Sequence, residues 1–325
     1  MTCDFRYSIV KNMEQDIYFN DLIGQDRIKK QLGFYIDAHK KTGVIPHILF
    51  VAPRGMGKTM FARSMGRNLL NNQGKPKIFI EINASTIRNV RSLVNQVLIP
   101  FVIDKEVTLF FDECHSFQRD ITNALLTILN NTSNNRTSFS FEDYTLEFDF
   151  SLLSVIMATT EGNAIFPPLA DRLTRIEFDD FNKDDLSHIV KENIVKNDLK
   201  IEDEALLDIA SILRSNARSA VKISTDIKNY LHKENTNTLT IKGWQELKNI
   251  LNILPFGLSK MEKRILEILK ENGETSLTSL SAKLNMTKES LQKDCELFLL
   301  RHNFMSIAQK GRVITKKGQE YLAKF

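Results

Sequence analysis

Cysteine is scarce in this 325-residue chain: Cys3, Cys114 and Cys295 are the only three, odd in number and far apart. No Cys-x-x-Cys pair and no Cys/His ligand spacing occurs, which argues against a disulfide framework or a zinc centre. Free thiols in a reducing cytosol are the expectation. Long apolar runs are missing as well. No stretch approaches the ~20 residues that a membrane span requires, and residues 1–16 carry scattered charge without the apolar block of a secretory signal. A cytoplasmic protein with no membrane partner is expected. Charge of one sign is equally short, since 44 Lys and Arg stand against 40 Asp and Glu for a net of +4. Any nucleic-acid surface must therefore be local rather than spread over the molecule. Repeats and low-complexity tracts are also missing. Apolar residues are present in ordinary measure, 42%, enough for buried cores. The length suits two or three domains at about 150 residues each.

The apolar pattern organises the chain. Residues 45–52 read as a short buried strand entering a glycine-bearing loop, and an amphipathic helix follows from Lys58 to about Asn71. Residues 107–111 and 152–158 are two further apolar strands. Continuous apolar strands separated by helices predict a parallel α/β sheet covered on both faces. Between the last two, residues 121–129 are helical and 130–135 are turn-forming. Tyr144, Leu146, Phe148 and Phe150 then alternate with Thr145, Glu147 and Asp149. That period of two predicts a half-buried strand, paired with 138–141 across Glu142-Asp143 as a hairpin. Four helical patterns at 183–197, 202–215, 217–232 and 240–251 predict a small all-α domain, and Pro255-Phe256-Gly257 marks a boundary. Beyond it, helices at 259–272, 276–284 and 287–303 and a ribbon of 304–308 with 312–315 follow the plan of a winged helix. The expected domains are 1–180, 181–254 and 255–325.

Gly55-Met56-Gly57-Lys58-Thr59 stands on the first strand–helix turn. In such a P-loop, glycine conformations let successive N–H groups converge on phosphate oxygens at a helix N-terminus. Lys58 is expected to reach the β- and γ-phosphates of ATP, Thr59 to ligate Mg²⁺, and Met60 to continue the nucleotide-facing wall. Ala52 replaces the glycine usual at the first position, which makes a turn rather than a phosphate contact. Asp112-Glu113 ends the second strand: Asp112 is placed to hold the Mg²⁺ shell and Glu113 to take a proton from the attacking water. Thr160, closing the third strand beside Thr159, is placed to bond the γ-phosphate or that water. His115 at a strand exit reads as a satisfied structural group.

In this order the motifs resemble the RuvB-like AAA+ family of branch-migration motors over nearly the whole chain. Phe19-Asn20-Asp21-Leu22-Ile23-Gly24-Gln25, Phe111-Asp112-Glu113-Cys114-His115 and Ala158-Thr159-Thr160 carry the likeness. So do Gly257-Leu258-Ser259, 296–300 and 310–315 at the end. The resemblance implies an α/β P-loop AAA+ domain, an all-α lid and a C-terminal winged helix. It places Arg218 on the lid's sensor-2 arginine, with Ile23 and Gly24 in the adenine pocket and Phe181 near the base. It also implies a hexameric ring, ATP-driven movement of duplex or junction DNA, and a RuvA-like partner docking on the apolar face of the hairpin at 137–150.

Departures qualify the likeness. Where the family has its arginine finger, Pro168-Leu169-Ala170-Asp171-Arg172-Leu173 carries Ala170. Arg172, at a spacing similar to that of clamp loaders, is the expected finger across a subunit boundary, with Arg175 second. Glu161 replaces an arginine after the sensor threonines. The alternative reading is a slowly hydrolysing nucleotide switch or a clamp-loader-like subunit that places a partner on DNA. In residues 256–325, 13 Lys and Arg against 8 Asp and Glu give a local net of +5. Lys310 and Arg312 at the wing are expected to contact DNA phosphates, with no base-reading side chain evident.

Overall fold

Apolar β-branched and aromatic runs flanked by glycine and Asx turns fold here as a five-stranded parallel sheet. The computed structural model describes residues 18–130, 135–214 and 216–324. Cys3, the leading segment, most of the expected turn at 130–135, and Ser215 lie outside the described residues. The chain divides into two compact units, Met1–Asn193 with Ser215–Ser224, and Ile194–Arg214 with Thr225–Phe325. The expected lid segment contributes to both.

In the first unit, α1 (Asp26–Thr42) precedes β1 (Ile48–Val51), α2 (Lys58–Asn68) and β2 (Ile78–Asn83). Helix α3 (Val90–Leu93, widening into a π-helical stretch Val94–Val102) leads to β3 (Val107–Asp112) and α4 (Arg119–Ile128). After it come β4 (Arg136–Phe141), β5 (Tyr144–Asp149), β6 (Leu153–Thr159), α5 (Pro167–Ala170), β7 (Thr174–Glu177) and α6 (Lys183–Val195). The sheet order is β2-β3-β6-β1-β7, every pair parallel. The three strands expected from apolar runs are the central ones, β3, β6 and β1. The two edges went unread: β2 has no fully buried residue, and β7 buries only Ile176 among polar neighbours. α1 and α3 are likewise additions to the expected pattern.

The hairpin of β4 and β5 forms in the expected register, with Phe139 opposite Leu146 and Phe141 opposite Tyr144. Much of its apolar face is taken up by the fold. Phe139, Leu146, Phe148 and Phe150 are buried in the same core as Leu109, Phe111 and Val155. The period of two therefore records packing in this core, with Phe141 half-buried near the tip and the alternate face meeting solvent.

Two histidines lie at the end of the sheet where β1 and β6 begin. His39 and His47 are 4% and 3% exposed, and neither His39 nitrogen nor His47 Nε2 has a hydrogen-bond partner among the described residues. Burial pulls both imidazoles down to about 4, with the nearby Lys77 charge adding to the effect on His39. The fold thus holds them neutral. That contribution is complete above the unfolded value near 6.5 and is lost as pH falls from there through about 4. Between about pH 7.5 and about pH 4.5, urea unfolding should show each histidine costing roughly 2–3 kcal/mol. His47→Phe, which keeps an edge-on ring against Phe150, should remove its share of the loss.

The second unit takes up β8 (Lys200–Ile201), α7 (Asp203–Ile212), the C-terminal half of α8 (Ala217–Lys233), β9 (Thr238–Leu239) and α9 (Ile241–Leu251). It is helical here apart from the two-residue parallel pair β8–β9. Trp244 is fully buried and donates through Nε1 to Asp208 at 2.6 Å. Then follow α10 (Lys260–Asn272), α11 (Leu277–Leu284) and α12 (Lys288–Ser290, continuous through Leu291–Glu296 and Leu297–Arg301). The ribbon β10 (Met305–Ile307) and β11 (Arg312–Ile314) is antiparallel as expected. The chain does not end on it: Thr315 caps a further helix, α13 (Lys316–Leu322), whose Tyr321 joins the core of Ile265, Leu269, Leu299 and Phe304.

Candidate active site

Strand β1 delivers the chain into a loop that only glycine can complete. Gly55 and Gly57 adopt φ of 82° and 92°, where side chains are strained, and Gly57 caps α2. A Cβ on Gly55 would stand 2.1 Å from Asn216 Oδ1. Asn216 reaches into the loop, donating from Nδ2 to the Arg54 carbonyl at 3.2 Å, while its Oδ1 accepts from Arg218 N at 2.9 Å. Lys58 begins α2 and is 7% exposed, its Nζ donating to Ala52 O at 2.7 Å and Pro53 O at 3.2 Å. Burial lowers its pKa, and the Asp112 and Glu113 charges partly restore it.

The C-terminal ends of β3 and β6 supply the acidic and hydroxyl groups. Thr59 Oγ1 donates to Asp112 Oδ2 at 3.2 Å, and the other Asp112 oxygen accepts from Glu113 N at 2.9 Å. Glu113 has φ of 53°, a left-handed conformation costing of order 1 kcal/mol in a non-glycine residue and held by its surroundings. Its carboxylate accepts from Thr160 Oγ1 at 3.3 Å and lies 3.9 Å from Arg54 Nε. His115 Nδ1 lies 3.0 Å from Thr159 Oγ1 and 3.5 Å from Glu113 Oε2, so the imidazole is satisfied within the strand ends. Cys114, between them, is buried, and burial pushes its thiol up to about 12, leaving it inert.

These groups share one pocket of about 280 Å³, whose walls run from Arg54 through Met60 and add Asp112, Glu113, Ala217, Arg218 and Val221. Of the site residues expected from sequence, Gly55, Met56, Gly57, Lys58, Thr59, Met60, Asp112, Glu113 and Arg218 line it, and Thr160 joins through Glu113. Ile23, Gly24 and Phe181 do not line it. Phe181 is 5% exposed, and Gly24 packs against the Asp185 carboxylate. Asn216 and Arg54 were not anticipated. Their one sequence signal is proximity to Arg218 and to the glycine loop.

A phosphate chain fits this arrangement. The loop carbonyls hold Lys58 at its mouth, and the Thr59–Asp112 pair presents a hydroxyl and a carboxylate of the kind that ligates a hard divalent cation. Away from the pocket, Arg172 is half-buried, with NH1 donating to Pro168 O at 2.8 Å and Nε buried without a partner among the described residues. Arg175 pairs with Glu177 at 2.7 Å.

The wing differs from expectation at Arg312. Its guanidinium is not turned to solvent but bonds both oxygens of Glu296, at 2.7 and 2.9 Å, with side chains 13% and 3% exposed. Two of the guanidinium nitrogens are thus committed to a buried carboxylate that neutralises the charge a phosphate would meet. Lys310, on the turn, is exposed.

Comparison with known proteins follows the same geometry. The model of the Holliday junction DNA helicase RuvB P-loop domain matches residues 15–177, and that of the RuvB C-terminal winged helix domain matches residues 255–323. The Holliday junction branch migration complex subunit RuvB of Campylobacter hominis is 28% identical over 311 residues, covering 94% of this chain and 88% of that protein. Its counterpart from Fervidobacterium nodosum is 25% identical over 323 residues, covering 94% and 87%. A solved structure of the Thermotoga maritima RuvB Holliday junction branch migration motor superposes with a TM-score of 0.76 at 23% identity. It covers 94% of this chain and 96% of that one, and the likeness is one of fold.

Proposed function

The chain belongs to the RuvB family, and from that premise we propose that it is an ATP-driven motor that moves duplex DNA, as in migration of a four-way junction. The observation that carries this reading is the convergence of Lys58, the Thr59–Asp112 pair, the Thr160–Glu113 pair and Arg218 on one pocket. ATP with Mg²⁺ bound there supplies the phosphoryl bond whose hydrolysis drives the cycle. Loop N–H groups and Lys58 would hold the phosphates, Thr59 and Asp112 would hold the cation, and Glu113 would take the proton of the attacking water. Thr160 keeps the Glu113 carboxylate aimed, and Arg218 reports the terminal phosphate to the lid. Ile23, Gly24 and Phe181 serve the base only if nucleotide binding draws them in.

The protein works as a ring, hexameric in this reading, in which Arg172 of one subunit completes its neighbour's site. Functionally the chain acts in three parts, with 181–254 as lid and 255–325 as the DNA-facing winged helix. A RuvA-like partner docks on the tip and exposed face of the β4–β5 hairpin, because Phe139, Leu146, Phe148 and Phe150 are spent on the core. The family match supports the motor over the slow switch, which keeps only Ala170 in its favour.

At the wing, Lys310 and Arg312 should separate cleanly. Lys310→Ala should lower the log–log salt slope of DNA binding by about 1 with stability unchanged. Arg312→Ala should instead destabilise the protein by about 3–5 kcal/mol, because Glu296 is left buried and unpaired. Steady-state ATPase with and without linear duplex or four-way DNA tests the motor reading. Clear stimulation by DNA is expected. Intact nucleotide binding with no response to either DNA would overturn it.

A further inference from the structure

Arg214 follows α7, and its guanidinium is engaged on three sides within the second unit. Nε and one terminal nitrogen donate to Gly257 O, at 2.8 Å from Nε. Both terminal nitrogens donate to Glu262, 2.9 Å for NH1, and the guanidinium carbon lies 3.9 Å from the centre of the Phe298 ring. Glu262 is fully buried and belongs to the first turn of α10. It accepts from Ser259 N at 2.7 Å while Ser259 Oγ accepts from Glu262 N at 3.1 Å, a capping box. Gly257 has φ of +66°, and a Cβ there would stand 2.0 Å from Ile212 O. One arginine therefore ties the end of α7 to the root of α10 and to α12.

Buried ion pairs are a poor device for stability alone, since apolar residues of like shape serve as well or better. The sequence position of Arg214 indicates what this one is for. Two residues on, Asn216 bonds the Arg54 carbonyl of the glycine loop, and two further on, Arg218 lines the phosphate pocket. Covalent geometry limits Arg214 and Asn216 to about 7 Å between Cα atoms. Two peptide units therefore separate a residue bonded to the glycine loop from the residue that makes the clamp.

We propose that Arg214 is a positioning residue that couples occupancy of the phosphate pocket to the winged helix. The inference rests on the pocket's being a nucleotide site. Hydrogen exchange of the full-length protein, with and without a slowly hydrolysed ATP analogue and Mg²⁺, tests it. In the wild type, nucleotide should protect residues 54–60 and also alter exchange in 258–269. In Arg214→Lys, which keeps the charge and loses the fork, protection at 54–60 should persist. The response at 258–269 should shrink by about 5-fold or more, the low end of ordinary two-site coupling. Arg214→Met with Glu262→Met, which removes both charges and keeps apolar bulk, should behave alike.

An undiminished response at 258–269 in these variants would overturn the proposal. So would a wild type whose loop is protected while 258–269 is unmoved. Complete exchange of 258–269 in both variants without nucleotide would also overturn it, because Arg214 would then only stabilise the fold. No protection at 54–60 in the wild type would instead remove the nucleotide site itself.

Discussion

Replacing Arg172 with alanine is expected to lower kcat of the assembled protein by about 10³–10⁵, with nucleotide affinity nearly unchanged. The magnitude is that of a cation facing charge that develops on the transferred phosphoryl group, supplied from a neighbouring subunit. Position 170 carries alanine, so it cannot donate the charge. Arg172 has NH1 on the Pro168 carbonyl, a buried Nε without an acceptor, and no carboxylate partner among the described residues. A buried donor left unmade costs of order 1–3 kcal/mol and favours any arrangement that supplies an acceptor. Arg175, in contrast, is already paired with Glu177 at 2.7 Å. A guanidinium already neutralised by its own carboxylate is the poorer cation for a neighbour's phosphate, so Arg175→Ala should change kcat by less than about tenfold. A mixture of Arg172→Ala and Lys58→Ala subunits should recover part of the activity that each lacks alone. If Arg172→Ala hydrolyses ATP normally, or if mixing recovers nothing, the charge does not act across a subunit boundary from this position.

Glu113→Gln should lower kcat by about 10²–10⁴ while ATP still binds. Glutamine keeps the size of the side chain and the contact with Thr160 Oγ1, and the φ of 53° is as accessible to it as to glutamate. What it loses is the ability to accept a proton. Burst and steady-state phosphate release, with affinity measured separately, separate the two quantities. Retention of near-normal turnover would move the base elsewhere, with Asp112 the nearest carboxylate. An equal loss of binding and turnover would mean that Glu113 holds the site together rather than acting on water.

Much of this architecture was readable because central strands of a parallel sheet are buried on both faces and so are written as unbroken apolar runs. β1, β3 and β6 are of that kind. β2 is not: none of its residues is fully buried and Ile78 is 59% exposed, so although Ile-Phe-Ile-Glu-Ile is strand-forming in composition, it lacks the unbroken apolar run that marked the central strands. The glycine loop was legible because backbone conformation itself demands Gly55 and Gly57. Asn216 was not, since its contact with Gly55 joins residues far apart in the chain. The same long-range blindness applies at the wing, where Arg312 looked like a surface cation until Glu296, on the preceding helix, was found filling its fork. The hairpin pattern was read correctly as a strand, yet periodicity cannot say which partner covers the apolar face. Here the sheet's own core covers Phe139, Leu146, Phe148 and Phe150.

The central claim is that the pocket at Lys58, Asp112 and Glu113 turns ATP into movement along DNA. Strand separation of a labelled synthetic four-way junction, followed with wild-type protein and with Glu113→Gln, tests it most directly. ATP-dependent separation by the wild type and none by the variant is expected, although both bind the junction. Separation that proceeds equally without ATP or with Glu113→Gln, or a wild type that hydrolyses ATP on the junction and leaves it intact, would contradict it.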